Sequence, residues 1–534
     1  MPERVMVVGG GTMGAGIALV AAGAGFDVTI VEPQAGARER AVASFAREAE
    51  RSGDASPALR IEWADRVEPR DDVSLAIEAV PERFELKREV FLELEKSLTA
   101  RALLATNTSS FSVGELAGAA SNPARVIGLH FFNPPSRMRL VEVVQTEQTA
   151  QEALDRAFEF VERCGKTPVL ASDTPGFIVN RVARPYYLQA LRALERGVAT
   201  VPELDALARS AGFRMGPFEL MDLIGLDVNL ATSESVYQRT EADRLEPAQT
   251  QRIMVAEGLL GRKAGRGFYS YADGNAERFE PAAAHVDEQP NADEVVAIVG
   301  FGAHAQELAE LIGERYDNVQ VIANDEMLDE LLPESTIIID AGDGASDRGE
   351  IIAVLDASFE KECVIVADAY ATNLSACARR MRHAERLVGF GALGSVARQS
   401  AVEIVNSEDA ADDALELVQE LFASIGKGAV LVEDVPGLFL GRTIGSIVNE
   451  AMIAVAQEVA SPEDVDEAMM LGANYPAGPI AWGREIGGTR VRTILRRLAD
   501  AEGEQFAPHR SLWLLDVETA PAEVETAPAE ETPR

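Results

Sequence analysis

Residues 4–32 read RVMVVGGGTMGAGIALVAAGAGFDVTIVE. A short apolar strand is followed at once by a G-x-G-x-x-G turn, and an apolar helical run then leads into a second strand. This succession is the context that a dinucleotide-binding fingerprint requires. The first glycine makes the tight turn, the second lets a pyrophosphate approach the backbone, and the third lets helix and strand pack closely. The stretch therefore predicts a β-α-β unit with cofactor contacts at Gly9, Gly11, Thr12, Met13 and Gly14.

The acidic residue that ends the second strand, Glu32, indicates which dinucleotide is bound. A carboxylate at this place accepts hydrogen bonds from ribose hydroxyls and repels a 2′-phosphate. The N–H groups and the positive dipole end of the preceding helix would face the phosphates. We therefore expect NAD rather than NADP as the cofactor.

Composition excludes several classes of partner. The chain has 534 residues, enough for about three or four domains. Its net charge of −38 argues against nucleic acid and anionic membrane surfaces as partners. Three cysteines without close spacing predict neither disulfides nor a metal site, which favours the cytoplasm. Residues 5–26 carry no charge, but their seven glycines suit neither a signal peptide nor a membrane helix.

A second informative stretch, residues 128–144, reads GLHFFNPPSRMRLVEVV. The apolar residues at its two ends predict two strands, and Asn-Pro-Pro predicts a turn between them. This arrangement can bring His130 beside Glu142, where the carboxylate would favour the protonated imidazole. Such a pair is suited to a general base that takes a hydroxyl proton. The alternative is a core histidine whose hydrogen bonds are satisfied.

Two further segments have more than one interpretation. Residues 33–65 are charged and helical in pattern, which predicts either a solvated helix pair or an arm that contacts the substrate. The Asn-Thr-Ser-Ser loop at residues 107–110 follows a predicted strand, at the edge where open parallel sheets bind ligands. Its serines and threonine could instead cap a helix.

The pattern of the first half recurs in the second half. EVVAIVGFGAHAQELAELIG repeats strand, glycine-rich turn and helix, and DVPGLFLGRTIGSIVNEAM repeats DTPGFIVNRVARPYYLQAL. The period of about 260 residues indicates a tandem duplication rather than a solenoid. The last residues repeat VETAPAE without aromatics and are predicted to be disordered.

The predicted fold class is α/β: a Rossmann-type dinucleotide-binding domain plus an all-α domain, duplicated in tandem with a degenerate second copy. The predicted boundaries are 1–173 for the NAD-binding domain, 174–275 for the first helical domain, 276–293 for a linker, 294–433 for the degenerate Rossmann-like domain, 434–515 for the second helical domain and 516–534 for a disordered acidic tail. We call residues 1–275 the first copy and residues 294–515 the second copy.

Many motifs of the first copy match one family in order and spacing. They are VVGGGTMGAGIA, AIEAVPERFELKREVF, TNTSS, GLHFFNPPSRMRLVEVV, DTPGFIVNR, GPFELMDLIGLD and GRKAGRGFYSY. From Val5 to about Tyr271 the chain resembles the L-3-hydroxyacyl-CoA dehydrogenases. The tandem layout is similar to that of longer bacterial members, including 3-hydroxybutyryl-CoA and phenylacetate-pathway 3-hydroxyadipyl-CoA dehydrogenases.

The resemblance implies a role for each matching residue. His130 would be the catalytic base and Glu142 its partner, while Ser109 and Asn180 would hydrogen-bond the reacting oxygen or hold the thioester. The implied NAD contacts are Glu32, Glu82, Lys87 and Asn133, and we add Asn107 from the TNTSS loop. In the family the helical arm carries Lys and Ser that touch CoA, but residues 33–65 contain no Lys here. Arg40, Arg47 and Arg51 remain alternatives for the CoA phosphates.

The second copy lacks several of these residues. Gly14 pairs with Ala305, Glu32 with Ala323 or Asn324, His130 with Gly391, and Asn180 with Gly441. Ser109 is paired with Ser375 and Glu142 with Glu403, and the arm of residues 33–65 has no counterpart. Without an imidazole there is no base, so the second copy is predicted to be inactive.

The leading hypothesis is NAD-dependent oxidation of (3S)-3-hydroxyacyl-CoA to 3-oxoacyl-CoA. Two alternatives remain open, a dehydrogenase for a sugar acid of the gulonate type and a non-catalytic cofactor-binding protein. Because family members pair through the helical domain, the second copy would provide an internal partner and form a pseudo-dimer. A further homo-oligomer is compatible with this arrangement.

Overall fold

The predicted β-α-β unit opens the first of two sheets. In this computed structural model, the residues described are 4–271, 278–281, 294–300, 302–323, 328, 330, 333–342, 348–359, 362–405 and 410–517. The first sheet contains β1 (Arg4–Val8), β2 (Asp27–Val31), β3 (Ile61–Ala64), β4 (Val73–Glu78), β5 (Leu103–Thr106), β6 (Val126–Phe131), β7 (Leu140–Gln145) and β8 (Thr167–Ser172). The strand order is β3-β2-β1-β4-β5-β6-β7-β8. The order reverses beside β1, and open parallel sheets bind ligands at such a switch point.

Helices cover the sheet and then continue as a helical region. The sheet is accompanied by α1 (Thr12–Gly23), α2 (Ala35–Ser52), α3 (Phe84–Ser97), α4 (Val113–Ala117) and α5 (Gln151–Arg163). The helical region contains α6 (Val179–Val182), α7 (Arg184–Glu195), α8 (Val201–Ser210), α9 (Pro217–Ile224), α10 (Leu226–Thr240) and α11 (Gln249–Ala256). β1, β4, β5, β6 and β7 are almost entirely buried, as expected for a sheet with both faces covered.

The charged segment after β2 differs in part from the prediction. It begins with the long helix α2, as predicted, but in place of a second α-helix there is only a short 3-10 helix (Ser56–Arg60). Residues 61–64 instead form β3, which pairs in parallel with β2 at the edge of the sheet. Trp63 on this strand stacks on Phe45 of α2, with ring centroids 6.3 Å apart. The aromatic contact therefore ties the arm to the edge strand.

The second copy repeats the architecture with one strand fewer. Its sheet contains β9 (Val295–Val299), β10 (Asn318–Ile322), β11 (Ile337–Asp340), β12 (Val364–Asp368), β13 (Leu387–Gly391), β14 (Ala401–Val405) and β15 (Gly428–Val432), in the order β10-β9-β11-β12-β13-β14-β15. Its helices are α12 (Ala303–Gly313), α13 (Gly349–Ser358), α14 (Leu374–Ala378), α15 (Asp412–Ser424), α16 (Leu440–Ala456), α17 (Pro462–Gly472), α18 (Pro479–Ile486) and α19 (Gly488–Glu502). Among the described residues nothing corresponds to α2 or β3.

Two predicted segments lie mainly outside the described residues. Of the predicted linker only residues 278–281 are described, and of the predicted tail only residues 516–517. Within the part of the chain that is described, every helix is too short or too polar to cross a membrane.

The two copies pack on each other through equivalent positions. Ser172 donates from its backbone N–H to Val459, and Glu433 at the equivalent position donates to Val198. One hydrophobic core cluster contains residues from both copies, and α7 packs against its counterpart α16. Contacts that are reciprocal in this way are typical of an isologous interface.

Buried ion pairs reinforce this junction. Arg181 at the end of α6 donates to Glu450 of α16 at 2.7 Å, and Arg244 binds the other oxygen of the same carboxylate at 2.6 Å. At the equivalent place Arg442 donates to Gln189 of α7 at 3.1 Å. Arg181 and Glu450 are both nearly inaccessible, so loss of Glu450 would leave the buried charge of Arg181 without its counter-ion.

Candidate active site

The glycine turn has the geometry that the fingerprint predicts. Gly9 has a φ of +107°, and a Cβ on Gly14 would lie 1.9 Å from the Gly9 carbonyl oxygen. Both positions therefore require glycine for the turn and for the close approach of α1 to β1. A Cβ on Gly11 would meet nothing within 4 Å, so this residue faces open space. Thr12 is exposed and begins α1, while Met13 is half-buried. An open backbone at a helix N-terminus fits a pyrophosphate.

Glu32 lies directly beside this turn. Its carboxylate accepts hydrogen bonds from the backbone N–H of Gly10 and of Gln34, each at 2.9 Å. The side chain is therefore fixed at the end of β2, where the ribose of a dinucleotide is expected. In the second copy the register of β10 places Ala323 at this position, as predicted.

A cleft of about 700 Å³ extends from the glycine turn between α2 and the β6–β7 turn. Its lining includes four arginines, Arg40, Arg47, Arg51 and Arg137. The first three are the candidates that the sequence suggested, and Arg137 adds a cation from the opposite wall. Arg51 is paired with Glu48 on the same helix. A cleft with this much positive charge suits phosphate groups.

The register of the β6–β7 pair places His130 directly opposite Glu142. The Nδ1 of His130 lies 2.5 Å from a Glu142 carboxylate oxygen, and both side chains are buried. Phe132 and Phe177 flank the imidazole, with ring centroids 4.6 and 5.7 Å away. Among the described residues none hydrogen-bonds the imidazole Nε2. The ring is thus oriented through one nitrogen while the other remains available.

Glu142 has a second set of partners. Its other carboxylate oxygen accepts hydrogen bonds from the backbone N–H groups of Ile178 and Val179, at 3.0 and 2.9 Å. These groups stand at the start of α6, and Asn180 follows immediately. The carboxylate therefore joins the sheet to the helical region and fixes Asn180 relative to His130.

The TNTSS loop is fixed by hydrogen bonds to the carboxylate of Glu82. One oxygen of this carboxylate accepts from the Thr108 hydroxyl at 2.6 Å, the Ser109 N–H at 3.1 Å and the Ser110 hydroxyl at 2.8 Å. Burial raises the pKa of Glu82, but Lys87 and these hydroxyls outweigh it and hold the pKa below its usual range. The Ser109 hydroxyl itself makes no hydrogen bond to the described residues. Glu82 therefore shapes the loop that presents Ser109.

Asn107 is hydrogen-bonded to the residue after His130, and Asn133 lies three residues beyond His130. The amide oxygen of Asn107 accepts from the Phe131 N–H at 2.9 Å, which ties the end of β5 to β6. Asn133 is exposed in the β6–β7 turn and precedes Pro134, which lines the cleft.

Lys87 is buried rather than directed into the cleft. Its ammonium lies 2.9 Å from Glu78 and 3.1 Å from Glu82, and the side chain is 1% exposed. The second copy keeps an equivalent pair at the end of the matching strand, because Arg348 binds Asp340 at 2.7 Å. The second copy keeps this ion pair although it lacks counterparts of Gly14 and Glu32, which indicate NAD binding. The pair therefore contributes to the structure of the turn region.

In the second copy Tyr370 occupies the region that corresponds to the His130–Glu142 pair. Its hydroxyl donates to Glu403 at 2.6 Å, and Glu403 accepts from the N–H groups of Phe439 and Leu440, as Glu142 does in the first copy. Cβ atoms on Gly391 and Gly441 would lie 3.0 and 2.8 Å from the Tyr370 ring. The ring therefore fills the space that His130 and Asn180 take in the first copy.

The pairing of Ser109 with Ser375 is wrong. Thr106 pairs with Gly128 in the first sheet, and Ala367 pairs with the equivalent Gly389 in the second. Counted from there, Ser109 corresponds to Tyr370. Ser375 lies beyond it in α14 and hydrogen-bonds Asp434. The two loops are equal in length, and the similarity of TNTSS to ATNLS was misleading because Asn373 of that stretch caps α14, as Ser112 caps α4.

Other residues of the site were not singled out from the sequence. Asp173, in the quoted DTPG motif, accepts hydrogen bonds from Val113, Gly114 and the Ser112 hydroxyl, and so holds the start of α4. Glu78 is the last residue of β4 and binds Lys87. Its position at the end of a strand beside the glycine turn is a pattern from which the sequence could have indicated it. Among the described residues no group of three or more His, Cys, Asp or Glu side chains forms a metal site.

The fold has a glycine turn at the switch point of the sheet and an oriented histidine–carboxylate pair on β6 and β7. These two features define an NAD-dependent oxidoreductase. The chain matches the family model for the 3-hydroxyacyl-CoA dehydrogenase NAD binding domain at residues 4–174 and 318–435. It matches the model for the 3-hydroxyacyl-CoA dehydrogenase C-terminal domain at residues 176–271 and 437–520. The second NAD-domain match begins after the degenerate glycine turn.

Similar proteins extend over the whole chain. It is 36% identical over 514 residues to 3-hydroxyadipyl-CoA dehydrogenase of Escherichia coli, covering 94% of this chain and 95% of that one. It is 37% identical over 286 residues to the mitochondrial hydroxyacyl-coenzyme A dehydrogenase of Rattus norvegicus, covering 50% of this chain and 91% of the relative. A crystal structure of 3-hydroxybutyryl-CoA dehydrogenase from Escherichia coli K12 matches with a TM-score of 0.77 and 32% identity over 97% of this chain and 98% of that chain. The chain therefore belongs to the 3-hydroxyacyl-CoA dehydrogenase family, in its tandem form.

Proposed function

We propose that the first copy oxidises the 3-hydroxyl group of a (3S)-3-hydroxyacyl-CoA, with His130 as the base. The observation that carries this proposal is the 2.5 Å contact between His130 and the buried Glu142, which leaves the imidazole Nε2 available. Oxidation of a hydroxyl group requires loss of a proton from oxygen and of a hydride from carbon. Bound NAD would accept the hydride.

In this mechanism His130 takes the hydroxyl proton at Nε2. Glu142 holds the ring in the required orientation and offsets the positive charge that the ring acquires. Because Glu142 is fully buried, this interaction is not screened by bulk water. A positioned base of this kind contributes about 10²–10⁴-fold to the rate.

Ser109 and Asn180 are proposed to hydrogen-bond the reacting oxygen. Support comes from the second copy, where the ring of Tyr370, at the position of Ser109, lies against the positions of His130 and Asn180. Because two of these positions touch the ring that stands at the third, the three positions are expected to converge in the first copy as well. Two hydrogen-bond donors beside the base would hold the substrate oxygen near Nε2.

The glycine turn, Glu32, Asn107 and Asn133 are proposed to bind NAD. The open space at Gly11 and the fixed carboxylate of Glu32 fit a dinucleotide. Glu82 and Lys87 are proposed to act indirectly, because Lys87 is buried and Glu82 is engaged by the TNTSS loop.

The four arginines of the cleft are proposed to bind the phosphates of NAD and CoA. This charge favours a CoA ester over the sugar-acid alternative, because a small sugar acid has no phosphate to pair with it. Arg137 and Arg47 stand on opposite walls and are the first residues to test for CoA.

NADH formation followed by absorbance tests the function. The wild-type chain is expected to turn over 3-hydroxyacyl-CoA but not free hydroxy acids, and His130→Ala should lose at least ~10²-fold in kcat. Tyr370→Phe is a matched control because it removes a hydroxyl group from the equivalent region of the inactive copy. Normal turnover by His130→Ala would contradict the mechanism, and activity with free hydroxy acids alone would favour the sugar-acid alternative.

We also propose that the second copy serves as a built-in partner for the first. The reciprocal hydrogen bonds and the buried Arg181–Glu450 pair support this role. Expression of residues 1–285 alone would expose the face of α7 that α16 covers, so self-association or loss of stability is expected. A truncated protein that stays monomeric, stable and fully active by light scattering and kinetics would refute the idea.

A further inference from the structure

One buried cation next to the proposed active site has no counter-ion in the part of the chain that the structure describes. Seven arginines are buried among the described residues, and six of them lie within 4 Å of a carboxylate: Arg125, Arg181, Arg348, Arg386, Arg442 and Arg490. The seventh, Arg184, is 4% exposed and has no carboxylate within that distance among the described residues. A buried charge is normally paired, because removing it from water is costly.

The partners of Arg184 are all neutral. Its Nε donates to the Asn180 carbonyl at 2.8 Å, and its Nη1 donates to the Ser233 hydroxyl at 3.1 Å and to the Asn229 carbonyl at 3.5 Å. The guanidinium also lies 4.8 Å from the centroid of the Tyr187 ring. Nη2 has no hydrogen-bond partner among the described residues. The group is thus positioned by dipoles and a ring, and part of its donor capacity is unused.

Arg184 lies one helical turn beyond a proposed substrate contact. Three residues separate it from Asn180, and this offset of four positions corresponds to about 6 Å between Cα atoms along a helix. Asn180 is proposed to bind the oxygen on C3 of the substrate. In an extended chain with C–C bonds of about 1.5 Å, C6 lies roughly 4 Å beyond C3. A group at the end of a six-carbon acyl chain would therefore come within reach of the guanidinium, whose Nε contacts Asn180 itself.

The second copy provides a comparison. Gly445 stands at the position of Arg184, and a Cβ placed on it would lie 3.7–3.8 Å from Leu495 and Ile494. The same copy has lost the catalytic histidine and has Tyr370 in the substrate region. The arginine is therefore not required for the helical fold, and it is present only where a substrate is expected.

We infer that Arg184 binds a terminal carboxylate on the acyl chain, so that the substrate is the CoA ester of a 3-hydroxy dicarboxylic acid. This inference rests on the proposed function and specifies its substrate class. An incoming carboxylate would form a charge-assisted, bidentate pair with the guanidinium and restore the missing counter-ion. A methyl group at the same place would desolvate the arginine further and leave it unpaired.

Two esters of equal length test the inference, 3-hydroxyadipyl-CoA and 3-hydroxyhexanoyl-CoA, which differ only in the terminal carboxylate. The readout is the ratio of their kcat/KM values. The wild-type ratio is expected to be at least ~100 in favour of the adipyl ester. Arg184→Met should lower that ratio by about the same factor, and Arg184→Lys should give an intermediate ratio because it keeps the charge without the planar fork.

The outcomes are distinct. A wild-type ratio near one would overturn the inference even if no variant folds. Equal loss of activity with both esters in Arg184→Met would show that the residue is merely structural, and would overturn it as well. No NADH from either ester would refute the proposed function itself, whereas turnover of the hexanoyl ester alone would refute only the role of Arg184.

Discussion

Replacement of Glu142 with glutamine separates the two tasks of this carboxylate. One oxygen contacts His130 at 2.5 Å, and the other accepts the N–H groups of Ile178 and Val179. A glutamine has the same shape and keeps an amide oxygen for the two backbone groups. It removes the negative charge beside the imidazole. We therefore expect Glu142→Gln to fold and bind NAD but to react slowly.

The size of the effect follows from the geometry. The charges of the carboxylate and of the imidazolium that forms during the reaction are about 4 Å apart, which corresponds to about 4 kcal/mol at an effective dielectric constant of about 20. This interaction exists only after His130 has taken the proton, so its loss raises the barrier rather than weakening substrate binding. About 4 kcal/mol is roughly a 10³-fold decrease in kcat.

The second copy supplies the matched control. Glu403 makes the same backbone contacts but faces Tyr370 instead of a histidine. Glu403→Gln should therefore leave kcat within about twofold of the wild type. Initial rates of NADH formation at saturating substrate, with KM measured in parallel, distinguish the two variants. A decrease of less than tenfold in Glu142→Gln, or an equal decrease in Glu403→Gln, would refute the assignment.

Three other predictions concern glycines and a buried acid. Gly14→Ala places a Cβ 1.9 Å from a backbone oxygen and should lower the unfolding temperature and abolish NADH binding, whereas Gly11→Ala should weaken NADH binding in a fluorescence titration without loss of stability. Gly472→Leu, in the second copy, would clash with side chains of the first copy that adjoin the proposed catalytic residues. We expect this variant to lose about 1–3 kcal/mol of stability and to have a lower kcat. Met470→Leu, on the exposed face of the same helix, should show neither effect. Burial raises the pKa of Glu403 to about 7, so the folded chain holds this proton more tightly than the unfolded chain. The stability that this proton contributes is lost as pH rises from about 4.5 through 7. Glu403→Gln should therefore remove that part of the pH dependence of the unfolding free energy measured in urea.

The local signals in the sequence predicted the fold well. Strand, glycine turn and helix are adjacent in the chain, so residues 4–32 define the unit without help from distant contacts. The His130–Glu142 pair was predictable for the same reason, because two short strands and one tight turn fix the register between them. The edge strand β3 was missed because its four residues follow a long charged helix and pair only with a strand some thirty residues earlier.

Other features depend on contacts that no local pattern reveals. Lys87 was expected at the cofactor, but its side chain turns inward to Glu78. The pairing of Ser109 with Ser375 failed because it matched two loops by residue type alone, whereas the register of the sheets places Tyr370 at that position. The missing counter-ion of Arg184 is likewise a property of three packed elements, α6, α7 and α10, and not of its sequence neighbours.

The two copies together separate structural from catalytic requirements within one chain. A residue that persists in the copy without the histidine is expected to serve the fold, and Glu403 and the Asp340–Arg348 pair meet that condition. Glu142 and Lys87, their counterparts, therefore carry a structural task whatever else they do. His130 and Arg184 have no such counterpart, since glycine stands at both positions in the second copy. Loss of both residues from the copy whose substrate region is filled by a tyrosine is what a shared role in substrate turnover predicts.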